Sequence, residues 1–181
     1  MTKVETARLL LRPWQADDLA EFTRLLTDPV VTRYIVVSTP FSPEDVAGIH
    51  ARTLEQWQRN GFGPWVAIEK ATGRWVGRIG LDELPEWPGP HKVEVGWELH
   101  REFWGRGLAT EGGRAALRHG FEVVGLERII SVARADNVAS RRVMDKCGLA
   151  FQEEVPHRGA LVVWYAIDRA GWQASQAAAS R

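Results

Sequence analysis

The run KVEVGWEL, Lys92 to Leu99, leads through a short connection into Gly105-Arg106-Gly107 and then into a segment of helical character. Its alternation sets Val93, Val95, Trp97 and Leu99 on one face of a strand and Glu94, Gly96 and Glu98 on the other. Glycines at a helix entrance let the backbone take positive φ, so that successive N–H groups converge, and the first amides of the helix have no intrahelical acceptor. An anion placed there gains roughly 0.3–1 kcal/mol per favourable contact with the helix end. A strand, a glycine turn and a helix in this order therefore demand an α/β arrangement and offer a cradle for a diphosphate, with Arg106 adding charge at the rim. A tight turn with no ligand is the plain alternative on these residues alone.

The flanking segments fill out the same class. Thr6 to Trp14 reads as a first strand closed by Pro13, and Leu19, Phe22, Leu25 and Leu26 recur at helical spacing from an Asp17-Asp18 start to a stop at Asp28-Pro29. Ser42, Pro43 and Asp45 announce a second helix that runs to about Arg59 and ends near Gly61. PWVAIEK and RWVGRIGLDEL form a hairpin around Gly73, and the three prolines of PEWPGPH make a loop. Beyond the key strand come a helix over Leu108 to Val124, the strand ERIISVARA, a short helix NVASRRVMDKCG, and the strands LAFQEEV and LVVWYAI. Such an order predicts a single-domain α/β fold with a mixed sheet. The domain is expected over residues 1–170, and the Ala/Ser/Gln-rich tail 171–181 is either a fraying helix end or disordered.

Lys plus Arg equals Asp plus Glu at 23 each in 181 residues, so no net field selects nucleic acid or an anionic membrane, and neither is expected as a partner. Cys147 is the single cysteine, which excludes an internal disulfide. No apolar run reaches signal-peptide or membrane length, and the expected location is the cytoplasm. No His, Cys and carboxylate spacing resembles a metal site, so no metal is expected. Nine tryptophans are available for a core or a cleft.

A dinucleotide-binding Rossmann unit, and with it a nicotinamide oxidoreductase, also begins with a glycine turn before a helix. Here Thr110 stands where the third glycine would be, and Asp136 lies roughly ten residues beyond the usual ribose-binding acid. VGWELHREFWGRGLATEGGRAALRHGFE followed by NVASRRVMDKCGL instead resembles the acetyl-CoA motif of the GNAT superfamily of N-acetyltransferases. With ETARLLLRPW and DDLAEF at the start, the resemblance covers nearly the whole chain and is closest to the branch of ribosomal-protein N-terminal acetyltransferases.

The resemblance implies a sheet splayed between the strands at 92–99 and 127–134, helices on both faces, and acetyl-CoA in the gap as co-substrate. Its pantetheine arm would pair with the backbone of Trp97, Glu98 and Leu99 like an added strand. The pyrophosphate would rest on the amides of Trp104, Gly105, Arg106, Gly107, Leu108, Ala109 and Thr110. Asn137 would bond the pantetheine and Ser140 would face the thioester sulfur. Two positions depart from the superfamily pattern. Glu102 replaces a Gln or Arg ahead of the glycines, and Met144, which has no proton to donate, replaces a tyrosine acid. Ser140 thereby becomes the candidate acid.

Acetyl transfer needs a neutral amine, a polarised carbonyl and a proton for the leaving thiolate. An α-amino group with a pKa near 8 is neutral at pH 7 in roughly a tenth of molecules, a lysine in fewer than one in a thousand, so a weak base suffices for the former. Glu98 is the first candidate for that base or for a water relay, with Glu94 on the same side of the strand. His100 and His157 are secondary candidates, His119 and Cys147 are read as packing, and Asp82, Glu83, Glu153 and Glu154 receive no role. The acceptor pocket is expected from the first two helices, the YIVVSTPFSP loop and the last hairpin, with Trp14, Tyr34, Phe41, Trp87 and Trp164 as wall candidates. The acceptor is then a peptide N-terminus, a small-molecule amine or an amino acid, in that order, and the chain is compatible with a homodimer. The rival from another class is a catalytically silent acyl-CoA-binding sensor domain.

Overall fold

The computed structural model describes residues 2–35 and 41–179. The first strand of the sequence reading is a small hairpin, β1 (Val4–Glu5) against β2 (Leu9–Arg12), with Pro13 just past its end. Helix α1 (Asp18–Leu26) follows. Asp18 does more than complement a helix dipole: it is buried and accepts from Arg12 at 2.7 and 2.8 Å, from the Gln15 amide at 2.6 Å and from the Trp75 indole at 3.2 Å. One carboxylate thus ties three segments together. Asp28-Pro29 both stops α1 and starts the short α2 (Pro29–Thr32), because the Asp28 side chain caps the Val30 amide at 2.9 Å and proline suits a first helical position. Helix α3 (Pro43–Asn60) opens with a reciprocal Ser42/Asp45 capping box and closes at Gly61, φ 72°.

Strands β3 (Pro64–Glu69), β4 (Trp75–Glu83), β5 (Val93–Leu99), β6 (Arg128–Arg134), β7 (Ala150–His157) and β8 (Ala160–Asp168) complete the sheet. Among the described residues it has eight strands in the order β1-β2-β3-β4-β5-β6-β8-β7. Every neighbouring pair is antiparallel except β5–β6, which is parallel and keeps one pairing, Glu94 with Ile130. Beyond that pairing the two strands diverge. The Ser131 hydroxyl donates to the Val95 carbonyl at 2.8 Å, occupying a main-chain acceptor at the apex of the fork.

Helix α4 (Leu108–His119) lies on the face that carries Ile79 and Trp97. Gly112 and Gly113 permit the approach, since a Cβ on the first would sit 2.7 Å from Ile79 Cδ1 and on the second 3.1 Å from Cys147 Sγ. Helix α1 packs on the opposite face through the Trp75–Asp18 contact. After α4 the chain makes one wider helical turn, Gly120–Val124, and leaves at Gly125, φ 84°. Helix α5 (Val138–Lys146), capped by Asn137 and ended by Gly148, packs beside β6 and β7. Through Ala179 the tail is helical: α6 (Arg169–Ala179) stacks the buried Trp172 on Phe121 at 5.8 Å. No helix of the described residues is long and apolar enough to cross a membrane.

Candidate active site

The turn before α4 has the conformation that the glycines suggested. Gly105 and Gly107 have φ of 72° and 77°, the left-handed region where a side chain is strained, and Gly107 occupies the N-cap of α4. The first amide of this stretch with an internal acceptor is Glu111, which donates to the Gly107 carbonyl at 3.1 Å; those of Gly105 to Thr110 have none among the described residues. The turn is braced from behind. Glu111 accepts from Thr6 Oγ1 at 2.6 Å, from the Arg8 amide at 2.7 Å and from Arg8 Nε at 2.6 Å, while Arg8 also donates to the Arg106 carbonyl at 2.7 Å. Unspent donors on a fixed turn are what a diphosphate needs.

A cavity of about 500 Å3 runs from this turn into the β5–β6 fork and out towards α2 and the β7–β8 turn. Along β5 the His100 amide bonds Val76, so in the antiparallel alternation Glu94, Gly96 and Glu98 spend their main-chain groups on β4, while Val95, Trp97 and Leu99 present theirs to the fork. The Val95 carbonyl is taken by Ser131 and the Leu99 carbonyl by the Trp104 indole at 2.7 Å. Trp97, between them, is left with its donor and acceptor facing the gap. These features fit an extended amide-bearing chain that ends in a diphosphate.

Across from the fork, β4 and β5 place four charged side chains side by side: Arg78 opposite Glu98 and Asp82 opposite Glu94. Arg78 pairs closely with Asp82 and reaches Glu98 Oε2 at 3.4 Å; its side chain is 13% exposed, that of Glu98 26%. Glu94 has no such cation of its own. Burial, reinforced by the negative charges of Asp82 and Glu98, pushes its carboxyl up to about 8, with Arg78 opposing. Burial also raises Glu98, and there Arg78 is the first counterweight. Both carboxylates line the cavity.

The model of the GNAT acetyltransferase domain matches residues 8–150, which include the fork, the glycine turn and α5. The chain belongs to this family. The acetyltransferase is 35% identical over 162 residues to an Aspergillus fumigatus protein named FsC-acetyl coenzyme A-N(2)-transacetylase, with 83% of this chain matched. It spans 66% of that relative's length. An acetyltransferase of the GNAT family from Bacillus anthracis superposes with a TM-score of 0.78 at 26% identity, covering 93% of this chain and 99% of the other. A Vibrio cholerae spermidine N-acetyltransferase, solved with CoA and spermine, superposes with a TM-score of 0.76, covering 93% and 99%; at 17% identity it shares the fold.

Within the acetyltransferase, Trp97, Glu98, Leu99, Trp104, Gly105 and Gly107 line the cavity, as do Leu108, Ala109, Thr110, Asn137 and Ser140. Arg106 is different: it is outside the lining, and its guanidinium pairs with the buried Glu69 and lies 5.3 Å over the Phe103 ring. Leu99 has lost its carbonyl to Trp104, and the Asn137 Oδ1 caps the Ser140 amide at 3.1 Å, which leaves Asn137 its amide nitrogen for a ligand. Met144 is fully buried and outside the cavity lining. Glu102 turns away to Arg74 at 2.8 Å.

His100 is also outside the lining. It is buried against Trp75 with Nε2 3.4 Å from Glu21, and burial holds it below the ordinary histidine value. His119 packs edge-on against Trp65, and burial raises the Cys147 thiol to about 12, an inert group. Of the five aromatic wall candidates only Tyr34 lines the cavity. Trp14 is core beside Phe22 and Trp75, Phe41 packs against that core, and Trp87 and Trp164 pack on each other. Residues 36–40 of the expected acceptor loop lie outside the described residues. Sequence reasoning passed over Arg78, and it gave Asp82 no role. The available signal was their two-residue spacing about Gly80 on a strand adjacent to β5. Among the described residues no three His, Cys, Asp or Glu side chains converge as metal ligands would.

Proposed function

We propose that this chain transfers the acetyl group of acetyl-CoA to a primary amine, with the α-amino group of a peptide or protein as the preferred acceptor, beside the ribosomal-protein N-terminal acetyltransferases. The observation that carries the proposal is the sharing of one cavity by three parts: partnerless amides from Gly105 to Thr110, the open main chain of Trp97, and the Glu94/Glu98 pair. Acetyl-CoA supplies the thioester. The amides of residues 105–110 hold the diphosphate, Trp97 aligns the arm, and the Trp97 amide polarises the carbonyl. Glu98, kept company by Arg78, attracts the ammonium form of the acceptor. Once the ammonium has lost one proton to solvent, the neutral amine nitrogen bonds to the acetyl carbon, Glu94 takes a second proton from that nitrogen as the carbon–sulfur bond breaks, and Ser140 passes its hydroxyl proton to the departing thiolate and regains one from solvent.

The preference for an α-amine rests on the supply of neutral nucleophile. At pH 7 an amine near 8 is neutral in roughly a tenth of molecules and a lysine near 10.4 in fewer than one in a thousand. A small-molecule amine such as a polyamine is the next acceptor in order, and a silent acyl-CoA-binding domain would have no use for the two carboxylates along β5 beside the fork.

The test is the pH dependence of thiol release with a peptide amine. In kcat/KM both the free amine and free Glu94 must lose a proton, so log kcat/KM should climb with a slope approaching two below about pH 7, pass through one near pH 8 and flatten above about pH 9. Glu94→Gln should lower the rate by roughly 100-fold and leave a slope of one. A slope of one in the parent protein removes Glu94 as the base, and no thiol release with any peptide or small amine removes the proposed reaction.

A further inference from the structure

The β7–β8 connection is a two-residue turn, Arg158-Gly159, with φ of 48° and 77°. Two positive values in succession define the hairpin turn that asparagine–glycine normally occupies. Arg158 is the one non-glycine residue with positive φ among the described residues. An arginine there is held in a costly conformation, and such strain is kept where a side chain has a task. Its side chain lines the far end of the cavity, with Leu84 and His157, and its partner is Glu86 at 2.6 and 3.0 Å. Glu86 is 68% exposed against 33% for Arg158, so the pair is a weak surface bridge that a carboxylate arriving from inside the cavity can displace. Next to it, His157 sits edge-on to Trp87 at 5.3 Å, and burial together with the neighbouring Arg158 holds it below its ordinary value. The turn therefore carries one permanent positive charge, and Glu94 and Glu98 supply the negative wall of the same cavity.

We infer that Arg158 selects acceptors that carry a carboxylate in addition to the amine, binding that carboxylate while the amine meets Glu94 and Glu98. This rests on the proposed acetyl transfer and adds the acceptor's second recognised group. An arginine is suited to the role because its planar fork can hold a carboxylate through two hydrogen bonds. The carboxylate can belong to a free amino acid or to an acidic side chain near a peptide N-terminus.

The experiment compares acceptor pairs in the thiol-release assay with the full chain, with kcat/KM referred to the neutral amine because a free amino acid's amine is more basic than an amino amide's: leucine against leucinamide, and an alanyl-glutamyl peptide amide against its alanyl-glutaminyl counterpart. The first pair reports on free amino acids and the second on peptides. In at least one pair the parent protein should favour the carboxylate-bearing member by tenfold or more in kcat/KM. Arg158→Asn, which suits the turn and lacks the charge, should raise KM for that member at least tenfold with kcat held within threefold, and should change the neutral member by less than threefold. Arg158→Lys should recover part of the loss. Glu86→Gln, which removes the same surface bridge, should leave the carboxylate preference intact or increase it. Equal use of both members in each pair overturns the inference and leaves the acetyltransferase standing, as does a Glu86→Gln variant that reproduces Arg158→Asn. Absence of thiol release with every amine overturns both.

Discussion

Replacing Glu94 with glutamine should stabilise the fold at alkaline pH while lowering activity. In the folded protein this carboxyl titrates near 8, in the unfolded chain near its ordinary 4.5. The folded state therefore binds the extra proton between these values, and stability falls as pH rises from about 4.5 to about 8. Each tenfold difference in acidity is worth roughly 1.4 kcal/mol, an upper bound of several kcal/mol for the whole interval. Partial hydration and relaxation around an ionised Glu94 reduce this to roughly 1–3 kcal/mol. In a chain of this length that is a gain of roughly 2–12 °C in Tm at pH 9 for Glu94→Gln over the parent, shrinking to nothing near pH 4.5. Thermal unfolding of both proteins across pH 5–9 reads it directly. Asp82→Asn, which deletes one of the negative charges that raise Glu94, should bring the end of the loss to lower pH and make the loss smaller, with its onset unchanged. Parallel pH–stability curves for parent and Glu94→Gln would refute the reasoning, because Glu94 would then have no unusual acidity.

Ser140→Ala should lower kcat by roughly 10–100-fold with little change in the KM for acetyl-CoA; full turnover in this variant would take Ser140 out of the chemistry. Arg78→Met should raise Glu98 further by deleting its cation and should weaken binding of cationic acceptors, read as a higher acceptor KM at pH 7 that recovers at higher pH. Gly80→Ala and Gly96→Ala form a contrast across one cross-strand pair. At Gly80, φ 155°, a Cβ would lie 2.7 Å from the Pro64 Cα, so we expect a loss of roughly 2 kcal/mol or more in thermal unfolding. At Gly96 a Cβ meets nothing within 4 Å, and stability should hold within roughly 0.5 kcal/mol.

The strand at Val93–Leu99, the turn and α4 were legible because period-two alternation, paired glycines and a helical run are local signals. The fork came from the resemblance and could not have come from periodicity, since it depends on β5 and β6 sharing one pairing. The charged quartet was hidden for a related reason. Arg78 and Asp82 share a face by spacing, but their meeting with Glu98 and Glu94 is a matter of register, which the loop between the strands does not reveal. Aromatic residues were the least readable. Trp14 and Trp87 look alike as cleft candidates, and each is buried by neighbours far away in sequence. The occupation of the Leu99 carbonyl by the Trp104 indole was not legible either, because nothing local in the sequence turns that side chain back onto the strand.

A crystal structure of the acetyltransferase with coenzyme A bound tests the central claim most directly. The bound coenzyme should show diphosphate oxygens within hydrogen-bonding distance of several of the amides from Gly105 to Thr110, and pantetheine amides paired with the Trp97 main chain inside the β5–β6 fork. A coenzyme seated elsewhere, with those amides facing only solvent, would contradict it.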